Sequence, residues 1–142
     1  MEKLNPTTAA IMNERFGRDN VLALATVDNG LPQVRYVNAY YEDGSFYVFT
    51  YALSGKMQQL LKNPACAIAG EWFTAHGLGE NLGWVGKREN QPLTEKLRKA
   101  FASWIDNGHT NFEDENTVIL RVKLTEGVLF SHGTRYEIDF GM

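Results

Sequence analysis

Residues 20–51, "NVLALATVDNGLPQVRYVNAYYEDGSFYVFTY", contain two hairpin signals in succession. The turn sequences DNG at 28–30 and EDG at 42–44 separate stretches that are rich in β-branched and aromatic residues. Residues 21–27 are almost wholly apolar, which indicates a strand buried on both faces. Three strands joined by two tight turns form an antiparallel meander. This stretch therefore predicts a mainly β fold.

The rest of the sequence predicts further strands and three helices. Asn5 and Pro6 mark the start of the first helix, and Asn63 with Pro64 ends the second. The predicted helices span residues 6–16, 55–62 and 92–105. Further strands are predicted at 65–73, 76–85, 117–124 and 128–130, with 136–140 as a candidate extension of the sheet. Six or seven antiparallel strands with peripheral helices and no internal boundary predict one barrel domain over residues 1–142.

Composition limits the classes of function. The 142 residues carry a net charge of -3, so a nucleic-acid partner is not expected. Neither a signal peptide nor an apolar run of membrane-spanning length is present, so no membrane partner is expected. A lone cysteine, Cys66, excludes an intrachain disulfide and fits a reducing compartment. We therefore expect a cytoplasmic protein.

Metal and nucleophile signatures are weak. The three histidines, His76, His109 and His132, are widely spaced and belong to no HExxH motif, so no metal site is expected. Cys66 has apolar neighbours, which favours an inert core thiol. The glycines of "HGLGENLGWVGK" fit no nucleotide-binding motif and instead predict a strand that bends at a barrel corner. His76 has a suitable titration range for acid–base chemistry, but a structural role is favoured, so the catalytic residues remain unknown.

An anion site is predicted where the third strand leads into the second helix. Ser54 is the expected N-cap, which puts the cation of Lys56 in a helical turn whose N–H groups already create a positive field. Arg35, in the second strand, can reach the same place, and Thr50 adds a hydroxyl group. A phosphate group would satisfy all of these groups. The alternative is that Arg35 faces water and Lys56 is an ordinary surface lysine.

The stretch "LATVDNGLPQVRYVNAYYEDGSFYVFTYALSGKMQQLLKNPACAIAGEW", residues 24–72, resembles the pyridoxamine 5′-phosphate oxidase-related, FMN-binding split-barrel family. The resemblance covers about residues 20–85. It rests on the order and spacing of the opening LAT, of Arg35-Tyr36-Val37, of Phe49-Thr50 followed six residues later by Lys56, of Asn63-Pro64, of Trp72 and of Gly77-x-Gly79-Glu80.

This resemblance implies a split β-barrel with bound FMN, and a homodimer in which each flavin lies at the interface. It places Arg35, Ser54 and Lys56 on the FMN phosphate. The residues that it places along the ribityl chain and the ring are Tyr36, Val37, Asn38, Phe49 and Thr50.

The sequence also departs from the oxidase itself. Gly55 stands where the oxidase has an arginine before the lysine. The flavin-contacting glutamine after the tryptophan is missing, and so is the substrate-binding C-terminal segment. We therefore do not expect pyridoxine-phosphate oxidase activity.

The expected function is that of a small FMN-dependent oxidoreductase that moves electrons from a reduced nicotinamide to a small acceptor. Two alternatives stay open. One is a non-catalytic flavin-binding or stress-related module, and the other is a split-barrel protein that uses haem or a deazaflavin.

Overall fold

A closed antiparallel barrel of six strands forms the centre of the computed structural model, which describes residues 1–141. In chain order the elements are β1 (Glu2–Lys3), α1 (Pro6–Phe16), β2 (Asn20–Asp28), β3 (Leu31–Glu42), β4 (Ser45–Tyr51), α2 (Gly55–Lys62), β5 (Ala65–Gly70), β6 (Phe73–Trp84), α3 (Gln91–Ala100), β7 (Thr117–Ser131) and β8 (Thr134–Asp139). The barrel order is β7-β4-β3-β2-β5-β6, and β6 pairs with β7 to close it. The predicted mainly β barrel with peripheral helices is confirmed.

Two additional strands extend the barrel at β7. This strand pairs with β6 along one edge, while its other edge pairs first with β4 and then with β8. Strand β1 lies parallel to β8 at the end of the sheet. The sequence predicted two separate strands at 117–124 and 128–130, but β7 is continuous because Gly127 fits against the neighbouring strand, where a Cβ would lie 3.0 Å from the Thr74 carbonyl oxygen.

The barrel is split between β3 and β4. These strands share only three residue pairs, next to their connecting turn, whereas β2 and β3 share nine and β4 and β7 share seven. Strand β3 therefore follows β2, and β4 follows β7, so that the two strands separate beyond the pair Tyr40 and Tyr47. This separation leaves backbone hydrogen-bonding groups unpaired on the facing edges of β3 and β4, within the part of the chain that the structure describes.

Both predicted hairpin turns are confirmed by their backbone conformation. Asn29 and Gly30 have φ angles of 51° and 81°, and Asp43 and Gly44 have 46° and 82°. Positive φ at both central residues is typical of the two-residue turn that matches the twist of antiparallel strands.

The β5–β6 hairpin was predicted with the wrong bounds. Its strands end at Gly70 and begin again at Phe73, so that Glu71 and Trp72 form the turn. Neither turn residue is a glycine or an asparagine, and Trp72 takes the left-handed conformation at φ 58°. The expected bend in β6 is present, because the register with β7 shifts between His76 and Gly77.

Helix α3 covers the outer face of the barrel at β4 and β7. Its buried stripe, Leu97, Phe101 and Ile105, packs on Ile119. The regular helix ends at Ala100, earlier than the predicted residue 105, and continues as irregular turns held by bonds from Ile105 N–H and Phe101 N–H to preceding carbonyls. No helix within residues 1–141 is both long and apolar enough to cross a bilayer.

Candidate functional site

The alternation of β3 places its side chains on two faces. Val37 and Ala39 point into the barrel and are 7% and 0% exposed. Arg35 belongs to the same inward row and is half-buried, whereas Tyr36 points outward and is 79% exposed. The strand thus carries a guanidinium group to the end of the barrel interior, next to the split.

Neutral acceptors hold the guanidinium group of Arg35. Its Nη1 donates to the Leu24 carbonyl oxygen at 3.2 Å and to Thr26 Oγ1 at 2.7 Å. Its Nη2 donates to Gln59 Oε1 at 3.0 Å. Thr26 Oγ1 in turn donates to Gln59 Oε1 at 2.5 Å, which closes a ring of hydrogen bonds. Burial lowers the pKa of Arg35, yet the group stays charged at neutral pH.

Helix α2 delivers a second cation to the same place. Ser54 caps the helix, and its Oγ accepts the Met57 N–H at 3.4 Å. Lys56 lies in the first turn and donates from Nζ to Thr50 Oγ1 at 2.9 Å. Its pKa is lowered, first by burial and then by the positive charge of Arg35. This effect of Arg35 on the pKa of Lys56 indicates that the two cations are close together.

No carboxylate compensates these two charges within residues 1–141. The ion pairs of the described chain involve neither Arg35 nor Lys56. Two partly buried cations at a helix N-terminus repel each other and are stabilised by an anion. An anion such as a phosphate group would compensate both charges, and the phosphate site stays a prediction.

The other predicted site residues occupy different positions around the split. Val37 faces the barrel interior, and Tyr36 lies on the opposite, outer face of β3. Phe49 packs edge-to-face against Phe101 and Phe112 beneath α3, with ring centroids 5.8 and 5.6 Å apart. The side chains of Tyr36 and Phe49 thus lie on other surfaces than the Arg35–Lys56 pair, and their predicted contacts with a ligand remain predictions.

Asn38 is held at the outer face of β3 by a carboxylate. Its Nδ2 donates to Asp19 Oδ1 at 3.0 Å, and the indole Nε1 of Trp104 donates to Asp19 Oδ2 at 3.0 Å. A carboxylate accepts hydrogen bonds but donates none. Asn38 therefore turns its amino group toward Asp19 and its side-chain carbonyl oxygen away from it. Asp19 thereby joins β3 to the end of the α3 region.

A depression of about 350 Å³ adjoins the outer face of β4 near Thr50. Its walls combine aromatic rings with polar groups from the segment between α3 and β7. The lining residues are Phe49, Thr50, Tyr51, Trp104, His109, Thr110, Asn111, Asp114 and Thr117.

Sequence reasoning missed Thr26, Gln59 and Asp19. Thr26 is a single hydroxyl in an apolar strand, and only its register opposite β3 shows its role. Gln59 lies three residues after Lys56, so both side chains are on the same side of the helix. This spacing could have indicated that Gln59 belongs to the site. Asp19 gave no signal, because its partners are distant in sequence.

Two residues considered for chemistry lie elsewhere. His76 is exposed on the outer face of β6, with Nδ1 3.5 Å from Glu126 Oε1. Burial raises the pKa of the Cys66 thiol to about 11, so that the thiolate is rare at neutral pH. Neither residue belongs to the Arg35–Lys56 cluster.

Solved structures with this fold include proteins of several descriptions. An FAD-binding protein from Mesorhizobium loti is 16% identical, with a TM-score of 0.66 over 87% of this chain and 92% of that one. General Stress Protein 26 from Bacillus anthracis is also 16% identical, with a TM-score of 0.67 over 91% and 97%. An F420 reductase is 19% identical, with a TM-score of 0.63 over 81% and 94%. At these identities the likeness establishes the fold.

Sequence comparison gives the family. No curated protein matches the chain. The family model described as "Pyridoxamine 5'-phosphate oxidase" matches residues 9–130, which is most of the chain and includes β2 to β6, with the whole Arg35–Lys56 cluster. The chain therefore belongs to the pyridoxamine 5′-phosphate oxidase family.

Proposed function

We propose that the protein binds FMN, with the phosphate on Arg35 and Lys56. The observation that supports this most strongly is the pair of cations without a carboxylate partner, at the N-terminus of α2. A phosphate monoester carries a charge near -2 at neutral pH, which matches the two positive charges. The capped turn at Ser54 adds backbone N–H groups that favour the same anion.

The split between β3 and β4 is the proposed place of the ribityl chain and the ring. The unpaired edges of these strands offer backbone donors and acceptors to the polar rim of an isoalloxazine. Tyr36, Val37 and Asn38 on β3, with Phe49 and Thr50 on β4, flank this split. Their role toward the ligand is through their backbone where their side chains point away, as they do for Tyr36 and Phe49.

An oxidoreductase role follows from this cofactor. When bound, the flavin would supply two-electron redox chemistry between a reduced nicotinamide and a small acceptor. The chain supplies binding and orientation. The depression beside Thr50 and Trp104 is the place proposed for the second reactant, because it borders β4, one of the two strands of the split, and has both aromatic and polar walls.

We further propose a homodimer that buries an apolar sheet face. On the outer surface of β3, β2, β5 and β6, two cross-strand rows consist largely of small and apolar residues. The rows are Tyr36-Ala23-Ala69-Thr74 and Val34-Ala25-Ala67-His76. Val34 is 71% exposed, and no helix covers this face in the described chain. A second copy would bury it and bring two flavins to the interface.

The absorption spectrum of the purified protein, reconstituted with FMN where necessary, tests the cofactor. A flavin band near roughly 450 nm supports the proposal, and a haem Soret band or a deazaflavin spectrum would contradict it. Oxidation of NADH or NADPH by the flavin-loaded protein then tests the enzyme role. Bound flavin that gives no oxidation above free FMN would instead support the non-catalytic alternative.

A further inference from the structure

The hydrogen-bond arrangement around Arg35 leaves one edge of its guanidinium group unused. A guanidinium has five N–H donors. Three of them are spent on Leu24, Thr26 and Gln59, through both N–H groups of Nη1 and one of Nη2. Within residues 1–141 no acceptor receives the Nε–H or the second Nη2–H. These two groups point the same way from one edge of the plane, which is the geometry that binds two phosphate oxygens at once.

The acceptors on the occupied edge are all uncharged. The amide oxygen of Gln59, and not its amino group, faces Arg35, because both Arg35 Nη2 and Thr26 Oγ1 donate to it. A carboxylate at this position would make the same two hydrogen bonds and would also neutralise the guanidinium. The residue at position 59 therefore determines whether the site presents two positive charges or one.

We propose that Gln59 is a positioning residue that fixes the plane of Arg35 without neutralising it, and so makes the site select flavins with a phosphate monoester. This inference rests on the proposed function. Gln59 itself accepts from Nη2 beside the open edge, so it acts on the phosphate through Arg35.

The test compares FMN with riboflavin, which lacks the phosphate, in two charge-matched variants. Gln59→Glu places a carboxylate against Arg35, whereas Gln58→Glu adds the same charge to the exposed neighbouring position, whose side chain bonds instead to the Ala52 carbonyl. We expect Gln59→Glu to weaken FMN binding by about ten- to a hundredfold and Gln58→Glu by less than about threefold. Riboflavin binding should change less than about threefold in both.

A third variant removes the hydrogen-bond acceptor at position 59 without adding a charge. Gln59→Met keeps position 59 uncharged but removes the acceptor, and we expect an intermediate loss of FMN affinity of about three- to tenfold with riboflavin unchanged. Equal FMN affinity in Gln59→Glu and Gln58→Glu, or a parallel loss for riboflavin, would overturn the inference. A wild-type protein that binds FMN and riboflavin equally would instead overturn the proposed function itself.

Discussion

Lys56 is a residue whose position opposes the stability of the unliganded protein. Its ammonium group lies in the first turn of α2, where the helix dipole disfavours a cation, and it is close to Arg35. The hydroxyl of Thr50 is its hydrogen-bond partner in the described chain. Such an arrangement is typical of a binding site, in which a ligand supplies the missing charge.

Replacing the cation of Lys56 should weaken FMN binding but stabilise the unliganded protein. We expect Lys56→Met to weaken FMN binding by about ten- to a hundredfold, through loss of a charge-assisted hydrogen bond. The free energy of unfolding of the unliganded variant should rise by about 0.3–1 kcal/mol, because an unfavourable helix–charge interaction is removed. Calorimetric titration with FMN and chemical denaturation measure the two effects.

Lys62→Met is the matched control for this variant. Lys62 lies in the last turn of the same helix, where a cation is favourable. Its replacement should leave FMN affinity within about twofold and lower stability by a few tenths of a kcal/mol. Equal effects of the two substitutions on FMN binding would contradict the assignment of Lys56 to the phosphate.

The lowered pKa of Lys56 also predicts a pH dependence. A bound phosphate favours the protonated amine of Lys56. The affinity for FMN is therefore highest below the pKa of Lys56 in the unliganded protein and declines as the pH rises through that pKa. Because this pKa lies below the ordinary lysine value of about 10.4, the decline begins at a lower pH than for an exposed lysine.

Dissociation constants for FMN measured from about pH 7 to pH 10 check this dependence. The wild-type affinity should decrease toward the upper end, while the weaker affinity of Lys56→Met should stay level. A decline of the same size in both proteins would assign the titration to another group.

The charged residues of the site could be predicted from the sequence more readily than their uncharged hydrogen-bond partners. Arg35 and Lys56 could be predicted because a lone cation in a strand, or in the first turn of a helix, is unfavourable unless an anion lies beside it. Gln59 and Thr26 could not, since a polar residue on a helix or a threonine in a strand is ordinary without knowledge of what faces it. Their role depends on the register of β2 with β3 and on the packing of α2 on β2.

The site depends on two elements, the split between β3 and β4 and the N-terminus of α2. The sequence predicts both hairpins from their turn residues, and α2 from Ser54 and Asn63-Pro64. It does not predict where the paired strands separate. Inward and outward side chains alternate along a strand in the same way whether the strand pairs over three residues or over nine. The β5–β6 turn was misplaced for a related reason, since the conformation of Trp72 has no local sequence signal.

The N-terminus of α2 has room for an additional cation. A Cβ at Gly55 would meet only Gln59 Nε2, at 3.8 Å, within the described chain. Gly55→Arg, which introduces the arginine of the oxidase, should therefore tighten FMN binding by about three- to tenfold. Unliganded stability should be lower than that of Gly55→Ala by a few tenths of a kcal/mol, because of the added charge.

Gly55→Ala separates the charge from the loss of glycine. It should raise stability slightly, since alanine is the better helix former, without a change in FMN affinity beyond about twofold. Titration calorimetry of both variants tests this. An FMN affinity of Gly55→Arg no greater than that of Gly55→Ala would mean that the phosphate lies elsewhere.

For the whole molecule, the apolar face across β3, β2, β5 and β6 predicts self-association. Light scattering should give twice the monomer mass of 16.0 kDa for the wild type. Val34→Glu puts a charge on this face at its β3 end and should produce a monomer, because the charge would be buried without a partner. Leu61→Glu, at a similarly exposed residue of α2 outside the face, should leave the dimer intact.

A monomeric wild type, or an unchanged mass for Val34→Glu, would refute the proposed interface. The proposed interface is also close to the proposed phosphate site, because Val34 and Tyr36 on the outer face of β3 are the chain neighbours of Arg35, which belongs to the inward row. A monomeric Val34→Glu variant should therefore bind FMN more weakly, whereas the Leu61→Glu variant should bind it as the wild type does.

Above all, we propose that the Arg35–Lys56 cluster holds the phosphate of FMN. Titrating the unliganded wild-type protein with FMN and with riboflavin, followed by flavin fluorescence, tests it most directly. We predict that riboflavin binds at least about a hundredfold more weakly, because two charge-assisted contacts are lost with the phosphate. Equal affinity for the two flavins would contradict it.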